Sequence, residues 1–454
     1  MAPGPFLLVG KPLSDTLLTA TPSQTPPPPV VSRRVETIIL VTLVAVQFTS
    51  IIDFMIVMPL GPQVMASLGI GAAHFGWIIS SYTFAAGLAG FIASPFLDRF
   101  DRKSAFLFLY VGFIVGTLAC GLAPSFWLVL AARTVTGAFG GLLGSQAMTI
   151  VADVFPAHRR GQATGALMSA FAFASVVGVP LGIAIGNLYG WQLPFLVLAA
   201  LSLPLLGLAT WAMPPIRSHL QHTTQRDLSH LLETLANPNH LWAFLLVSLL
   251  MFGGFMVVPF ISTFYIANVG VTEVQLPIIF IAGGLVTLIG SPVIGRMVDR
   301  FGKLRMFWFL LPVSALAVLV ITHLPTVGIV GAAMASSLLM LTNTGRMVAA
   351  MALISGCVEP SRRGGFMAAN SSFQHIAGGL GTTLGGFLVT AESGQPFLNY
   401  ELAGYIAASA TLASLWVAGK LKPLPVQSPA TFQQSLAAAA EAQGEAGDAF
   451  GMAE

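Results

Sequence analysis

The chain alternates between long apolar blocks and short polar gaps. Twelve blocks are long enough to cross a bilayer, near 37–60, 76–97, 104–122, 127–150, 164–186, 193–213, 241–265, 275–298, 304–323, 327–350, 367–390 and 399–419. A helix rises about 1.5 Å per residue, so roughly 20 residues cover the hydrocarbon core. The blocks lack the alternation of barrel strands, and an open sheet leaves backbone groups unpaired in lipid. The pattern therefore predicts an all-α membrane protein with twelve transmembrane helices.

Composition strengthens that reading. Hydrophobic residues make up 55% of the chain and charged residues 8%, against about 25% charged in a soluble domain. Lipid must be the main solvent. The 47 glycines suit helices that pack closely without a hydrophobic drive. Cys120 and Cys357 fall near opposite faces of the predicted bundle, so they read as packing residues rather than a disulfide.

One charged gap is copied. Leu97-Asp98-Arg99-Phe100-Asp101-Arg102-Lys103 is followed 201 positions later by Val298-Asp299-Arg300-Phe301-Gly302-Lys303. Pro156-Ala157-His158-Arg159-Arg160-Gly161 is echoed by Pro360-Ser361-Arg362-Arg363-Gly364 at nearly the same spacing. The chain thus reads as a duplication, two pseudo-symmetric six-helix bundles at 36–213 and 241–419. A Pro-rich cytoplasmic tail, 1–35, precedes them and is expected to be disordered. A cytoplasmic central loop, 214–240, joins them, and a cytoplasmic tail, 420–454, follows.

Charge sets the orientation. With the N-terminus inside, 18 of the 20 basic residues fall in inner segments, and the other two, Arg133 and Arg346, lie within spans. Such a bias predicts both termini on the cytoplasmic side. The compact loops suit a bacterial inner (cell) membrane.

Charges inside spans are rare and usually face a sheltered interior. Asp53 lies roughly 25 Å from the inner face along the first span, and Arg133 roughly 30 Å up the fourth. They can meet in the outer half of the first bundle. Burial favours a neutral Asp53 and a nearby arginine favours its carboxylate; that competition suits a proton-coupling site. A permanent buried salt bridge is the alternative. Arg346 can bind an anionic or polar substrate group or simply satisfy backbone carbonyls. His375, with Asn370 and Gln374, makes a polar patch in the eleventh span. Gln47, Trp77, Tyr82 and Gln146 are further candidates for a substrate cavity.

Other chemistry is not encoded. There is no Gly-Lys-Ser/Thr phosphate loop, no closely spaced His/Cys set for a metal and no evident Ser-His-Asp grouping. No enzyme activity, cofactor, metal or nucleic-acid partner is expected.

These residues resemble the major facilitator superfamily. Ser94-Pro95-Phe96-Leu97-Asp98-Arg99-Phe100-Asp101-Arg102-Lys103 looks like its G-x-L-a-D-R-x-G-R-K loop, with Ser94 and Asp101 replacing glycines. The copy from Gly295 to Lys303 keeps both glycines. Arg133-x-x-x-Gly137 looks like the span-four motif linked there to proton transfer. Gly178-Val179-Pro180-Leu181-Gly182 resembles a variant of the antiporters' span-five motif. Asp53 matches the span-one acid of proton-coupled drug exporters, and the string around it resembles arabinose-efflux-like permeases. The resemblance implies two bundles rocking around a central cavity. It implies a cytoplasmic gate of Asp98, Arg99, Arg102, Lys103, Asp299, Arg300 and Lys303, with Asp101 weakening or re-aiming it. It implies a hinge at Gly178, Pro180 and Gly182.

The function this predicts is a proton-driven antiporter that exports small organic molecules such as drugs, sugars or metabolites, acting as a monomer in contact with lipid. The rivals are an uptake permease or uniporter on the same fold and, in another class, a non-transporting receptor or scaffold.

Overall fold

The structure, a computed structural model, describes residues 33–97, 99–216, 233–359, 363–390 and 396–422. Asp98, most of the predicted central loop and most of both predicted tails lie outside the described residues. In the first half run α1 (Arg33–Ile56), α2 (Ala72–Leu97), α3 (Arg102–Leu122) and α4 (Phe126–Val154). Next, α5 comprises Ala157–Phe173, a π-turn at Ala174–Gly178 and Val179–Tyr189, and α6 is Leu193–Ala212. In the second half, α7 begins as Pro238–Val257 and continues through Val258–Phe260 and Ile261–Phe264 to a π-turn at Tyr265–Val269. It is followed by α8 (Leu276–Phe301), α9 (Lys303–Thr322), α10 (Gly328–Ser355), α11 (Arg363–Leu388) and α12 (Tyr400–Lys420). The protein is an all-α, multi-pass membrane protein. Eleven of its described helices are long and apolar enough to cross a bilayer. The twelfth, α11, has 26 residues, but Asn370, Ser372, Gln374 and His375 thin its apolar character.

Local chemistry sets the ends. Asp101 caps α3 by accepting from Ser104 N at 3.1 Å, and Asn237 caps α7 by accepting from Asn239 N at 2.9 Å. Such caps satisfy amides that have no partner within the helix. Gly302, at φ 93°, breaks α8 from α9 in a conformation that side-chain-bearing residues rarely adopt. Pro180 has no N–H to bond the turn below it, and the π-turn Ala174–Gly178 sits directly beneath. The hydrophobic pattern contained no sign of the short helix Gly61–Leu68 between α1 and α2.

Two seams join the bundles. The first is α2 against α11, where glycines allow backbones to touch. A Cβ on Gly76 would lie 3.0 Å from the Thr382 carbonyl oxygen, and one on Gly90 2.2 Å from Ser372 Oγ. The second is α5 against α8. There a Cβ on Gly284 would lie 3.1 Å from Val176 Cγ2, inside the π-turn.

The buried core is unequal along the membrane normal. Away from the basic loops, the two bundles share one core, with Ile52, Ile56, Phe75 and Ile183 packed in the same cluster as Phe260, Phe264, Tyr265 and Ala403. On the basic-loop side each bundle has its own core, around Leu43, Phe106 and Leu143 in one and Phe244, Phe307 and Phe366 in the other. The molecule is closed at the far face, and toward the basic face the fully buried cores separate, bridged along the α2–α11 seam by Phe91 packing on Phe373 at 5.4 Å.

Candidate functional site

Asp53 and Arg133 meet. Arg133 Nη1 donates to Asp53 Oδ2 at 2.7 Å and to the Asp53 carbonyl at 3.3 Å. Thr117 Oγ1, from α3, donates to the other carboxylate oxygen at 3.0 Å. Asp53 is 0% exposed and Arg133 1%. Beside Arg133, a void of about 10 Å³ lined by Val57, Val64, Ile78, Cys120, Val129, Trp191 and Phe195 offers no more space than a single water needs. Arg133 Nε is sealed and has no partner among the described residues. A charge pair held this dry is costly unless its hydrogen bonds are nearly complete.

The pair is tied to the opposite bundle through rings. The Arg133 guanidinium lies 4.4 Å from the Tyr82 ring centre. Tyr82 packs on Phe54 at 5.1 Å, and Phe54 packs on Phe255 of α7 at 5.9 Å. Phe54 is the residue after the acid, so α1 presents the carboxylate to its own bundle and the ring to the other. Thr117, Phe54 and Phe255 carried no sequence signal, since a threonine and two phenylalanines are ordinary among apolar spans.

The other candidates separate into groups. Tyr82 belongs to the ion-pair site. Trp77 packs among His74, Phe126 and Phe387 at the far-face seam. Gln47 on α1, Gln146 on α4 and Asn370 on α11 each bury an amide oxygen with no partner among the described residues. His375 and Gln374 are half-buried. Arg346 is 3% exposed; its Nη1 donates to Thr411 Oγ1 at 2.9 Å and its Nη2 to the Leu250 carbonyl at 3.3 Å.

The charged hairpin holds bundle one together. Arg102 pairs with Asp153 at 3.1 Å, and Lys103 Nζ donates to the Thr210 carbonyl at 2.7 Å. Asp101 accepts from Ile216 N at 2.7 Å, and Arg102 N donates to the Ile216 carbonyl at 3.2 Å. The aspartate that replaces a motif glycine thus anchors the chain leaving α6. Arg99, Asp299, Arg300 and Lys303 are exposed. At the predicted hinge, a Cβ on Gly178 would lie 2.3 Å from Ile52 Cδ1, and one on Gly182 2.5 Å from Ile56 Cδ1. These glycines let α5 press onto α1, on either side of Asp53.

At the far face three polar groups cross the seam. Gln63 Nε2 donates to Asn187 Oδ1 at 2.5 Å and to Glu273 Oε2 at 3.2 Å, and Asn187 Nδ2 donates to the Glu273 carbonyl at 2.8 Å. Each sits just outside a span, the one hint the sequence offered.

The model of the Major Facilitator Superfamily matches residues 43–346. The chain belongs to this superfamily of transporters. It is 35% identical over 172 residues to the uncharacterized MFS-type transporter Rv1250 of Mycobacterium tuberculosis, covering 38% of this chain and 30% of that protein. It is 26% identical to the uncharacterized MFS-type transporter YceJ of Bacillus subtilis, covering 76% of this chain and 87% of YceJ. A probable sugar efflux transporter of Helicobacter pylori is 25% identical over 52% of this chain and 59% of its own length. Among solved structures, a bacterial homolog of the human lysosomal transporter Spinster, inward-facing and unoccupied, superposes with a TM-score of 0.67. That match has 16% identity and covers 86% of this chain and 95% of the other.

Proposed function

We propose that this superfamily member is a secondary exporter of small organic molecules, driven by protons flowing back across an inner membrane. In this reading the basic loops and both termini face the cytoplasm, as the lysine and arginine bias supports. The divided core is then the cytoplasmic side, and the structure is the inward-open member of an alternating-access cycle. A relative bearing the name of a probable sugar efflux transporter supports the outward direction.

One observation carries the coupling: the unbroken line of contacts from Phe255 through Phe54 and Tyr82 to the Arg133–Asp53 pair. Opening the far face pulls Phe255 away from Phe54. Tyr82 then loses its packing, the guanidinium loses its platform, and water reaches the carboxylate. Asp53 takes a proton there, which releases Arg133. Closing the far face brings Arg133 back onto Asp53, whose charge favours the carboxylate against the effect of burial, and the proton leaves toward the cytoplasmic side. The hinge above Ala174–Gly178 and the hairpin around Arg102 let bundle one move as a unit. Gln47, Gln146, Asn370, Gln374 and His375 supply polar lining for the substrate.

The test begins with a growth-inhibition screen in cells lacking their own exporters. A compound to which the protein confers resistance is then offered to everted membrane vesicles. Accumulation that follows an imposed pH gradient and collapses with a protonophore is the expected result. Mere equilibration, indifferent to the gradient, contradicts the proposal.

A further inference from the structure

On the basic face the two bundles finish the same corner differently. In bundle one, where α3 meets α6, Lys103 Nζ donates to the Thr210 carbonyl and Asp101 accepts from Ile216 N. In bundle two the matching corner is α9 against α12. Gly302 stands 201 positions on from Asp101 and has no side chain to accept with. The chain leaving α12 turns instead to α7, where Lys422 N donates to Asn239 Oδ1 at 2.9 Å and Asn239 Nδ2 donates to the Lys422 carbonyl at 2.9 Å. Between α9 and α12 lies a groove of about 490 Å³, lined by Trp308, Leu415, Trp416, Gly419 and Lys420.

The groove has an apolar wall and a charged mouth. Trp308 and Trp416 are 55% and 61% exposed. Trp308 lies five residues from the start of α9 and Trp416 four from the end of α12. Both therefore sit roughly 6–8 Å in from the basic ends of their helices, the level that tryptophan favours at a membrane interface. One turn deeper, Pro312 and Leu412 are exposed as well, so the apolar track continues toward the bilayer centre. At the mouth, Lys420 Nζ folds back over the Trp416 ring, 5.4 Å from its centre. Trp242 of α7 braces that ring edge-on at 5.4 Å. Arg305, one turn toward the basic face from Trp308, is exposed, as are Lys303 and Lys422 at the same helix ends. Neither helix end carries an acid.

We infer that the α9–α12 groove holds one anionic phospholipid, its phosphate against Lys420 and Arg305 and an acyl chain laid across Trp308 and Trp416. Charge complementarity selects this occupant. An apolar slot at interfacial depth, beneath basic groups without an acid, fits one negative head on a long apolar tail. A zwitterionic lipid brings its own ammonium against the lysines, and a free phosphate has no tail to fill the slot. The site is separate from the Asp53–Arg133 pair. Only its assignment to the cytoplasmic leaflet rests on the orientation proposed above, and its test needs no transport.

The experiment is thermal unfolding of the full-length protein in detergent, with added dioleoyl phosphatidylglycerol, dioleoyl phosphatidylcholine or glycerol 3-phosphate at matched ionic strength. Phosphatidylglycerol should raise the midpoint by about 3 °C more than phosphatidylcholine near saturation, and glycerol 3-phosphate should not shift it. Lys420→Gln should abolish that difference by removing the charge. Gly419→Leu should abolish it with the charge intact, because a Cβ there meets open space and the longer side chain fills the groove. Arg34→Gln, which removes an exposed basic residue from the start of α1, should keep the difference and so separates a built site from net charge. The inference is overturned if the two lipids act alike on the parent, if glycerol 3-phosphate alone reproduces the shift, if Lys420→Gln or Gly419→Leu responds as the parent does, or if Arg34→Gln loses the difference.

Discussion

The two bundles treat a buried arginine in opposite ways. In bundle one, Arg133 is closed in by Asp53, Thr117 and the Tyr82 ring. In bundle two, Arg346 has a hydroxyl, a carbonyl and a glycine. Bundle one thus pairs its arginine with an acid, whereas bundle two, whose arginine lies 213 and not 201 positions on, meets it with neutral groups.

The largest expected effect separates the two directly. Arg133→Met strands a carboxylate in a dry core and should destabilise the protein by about 3–5 kcal/mol. Arg346→Met leaves only neutral acceptors unpaired and should cost about 1–3 kcal/mol. Thermal or denaturant unfolding in detergent reads both, and equal costs would erase the distinction. Next in size is the seam that both bundles share. Gly90→Ala drives a methyl into Ser372 and should cost about 1–3 kcal/mol, with Ser372→Gly in the same chain restoring most of it.

Smaller effects test how bundle one senses bundle two. A double-mutant cycle between Phe54→Ala and Phe255→Ala should give a coupling energy of about 0.5–1.5 kcal/mol. Additive costs would mean the rings pass nothing across. Smallest is the far-face latch, where Glu273→Ala removes a seam hydrogen bond worth about 0.5–1.5 kcal/mol. Cys120, buried in the shared core, should then react faster with a permeant maleimide in a Cys357→Ala background. An unchanged rate would remove the latch from the account.

The division between what was legible in the sequence and what was not follows the length scale of the physics. Apolar blocks and lysine–arginine bias act over whole helices, so the architecture could be read from composition. Asp53 and Arg133 stood out because charge is rare in lipid, and their similar depth followed from helix rise alone. Contacts set by helix rotation were not legible. Nothing in the spacing said that Tyr82 lies beneath Arg133, that Trp77 packs at the far-face seam, or that Asp101 reaches Ile216. The absence of an acid beside Arg346 needed the coordinates, because a glycine among 47 carries no signal of its own.

The most direct measurement compares two modes of transport by Asp53→Asn in the same vesicles. Exchange of labelled for unlabelled substrate at equal pH needs the rocking motion but no net proton movement, and the account predicts that it survives. Accumulation driven by a pH gradient needs Asp53 to carry the proton, and the account predicts that it falls to background. Gradient-driven accumulation at the parental level in Asp53→Asn would contradict it.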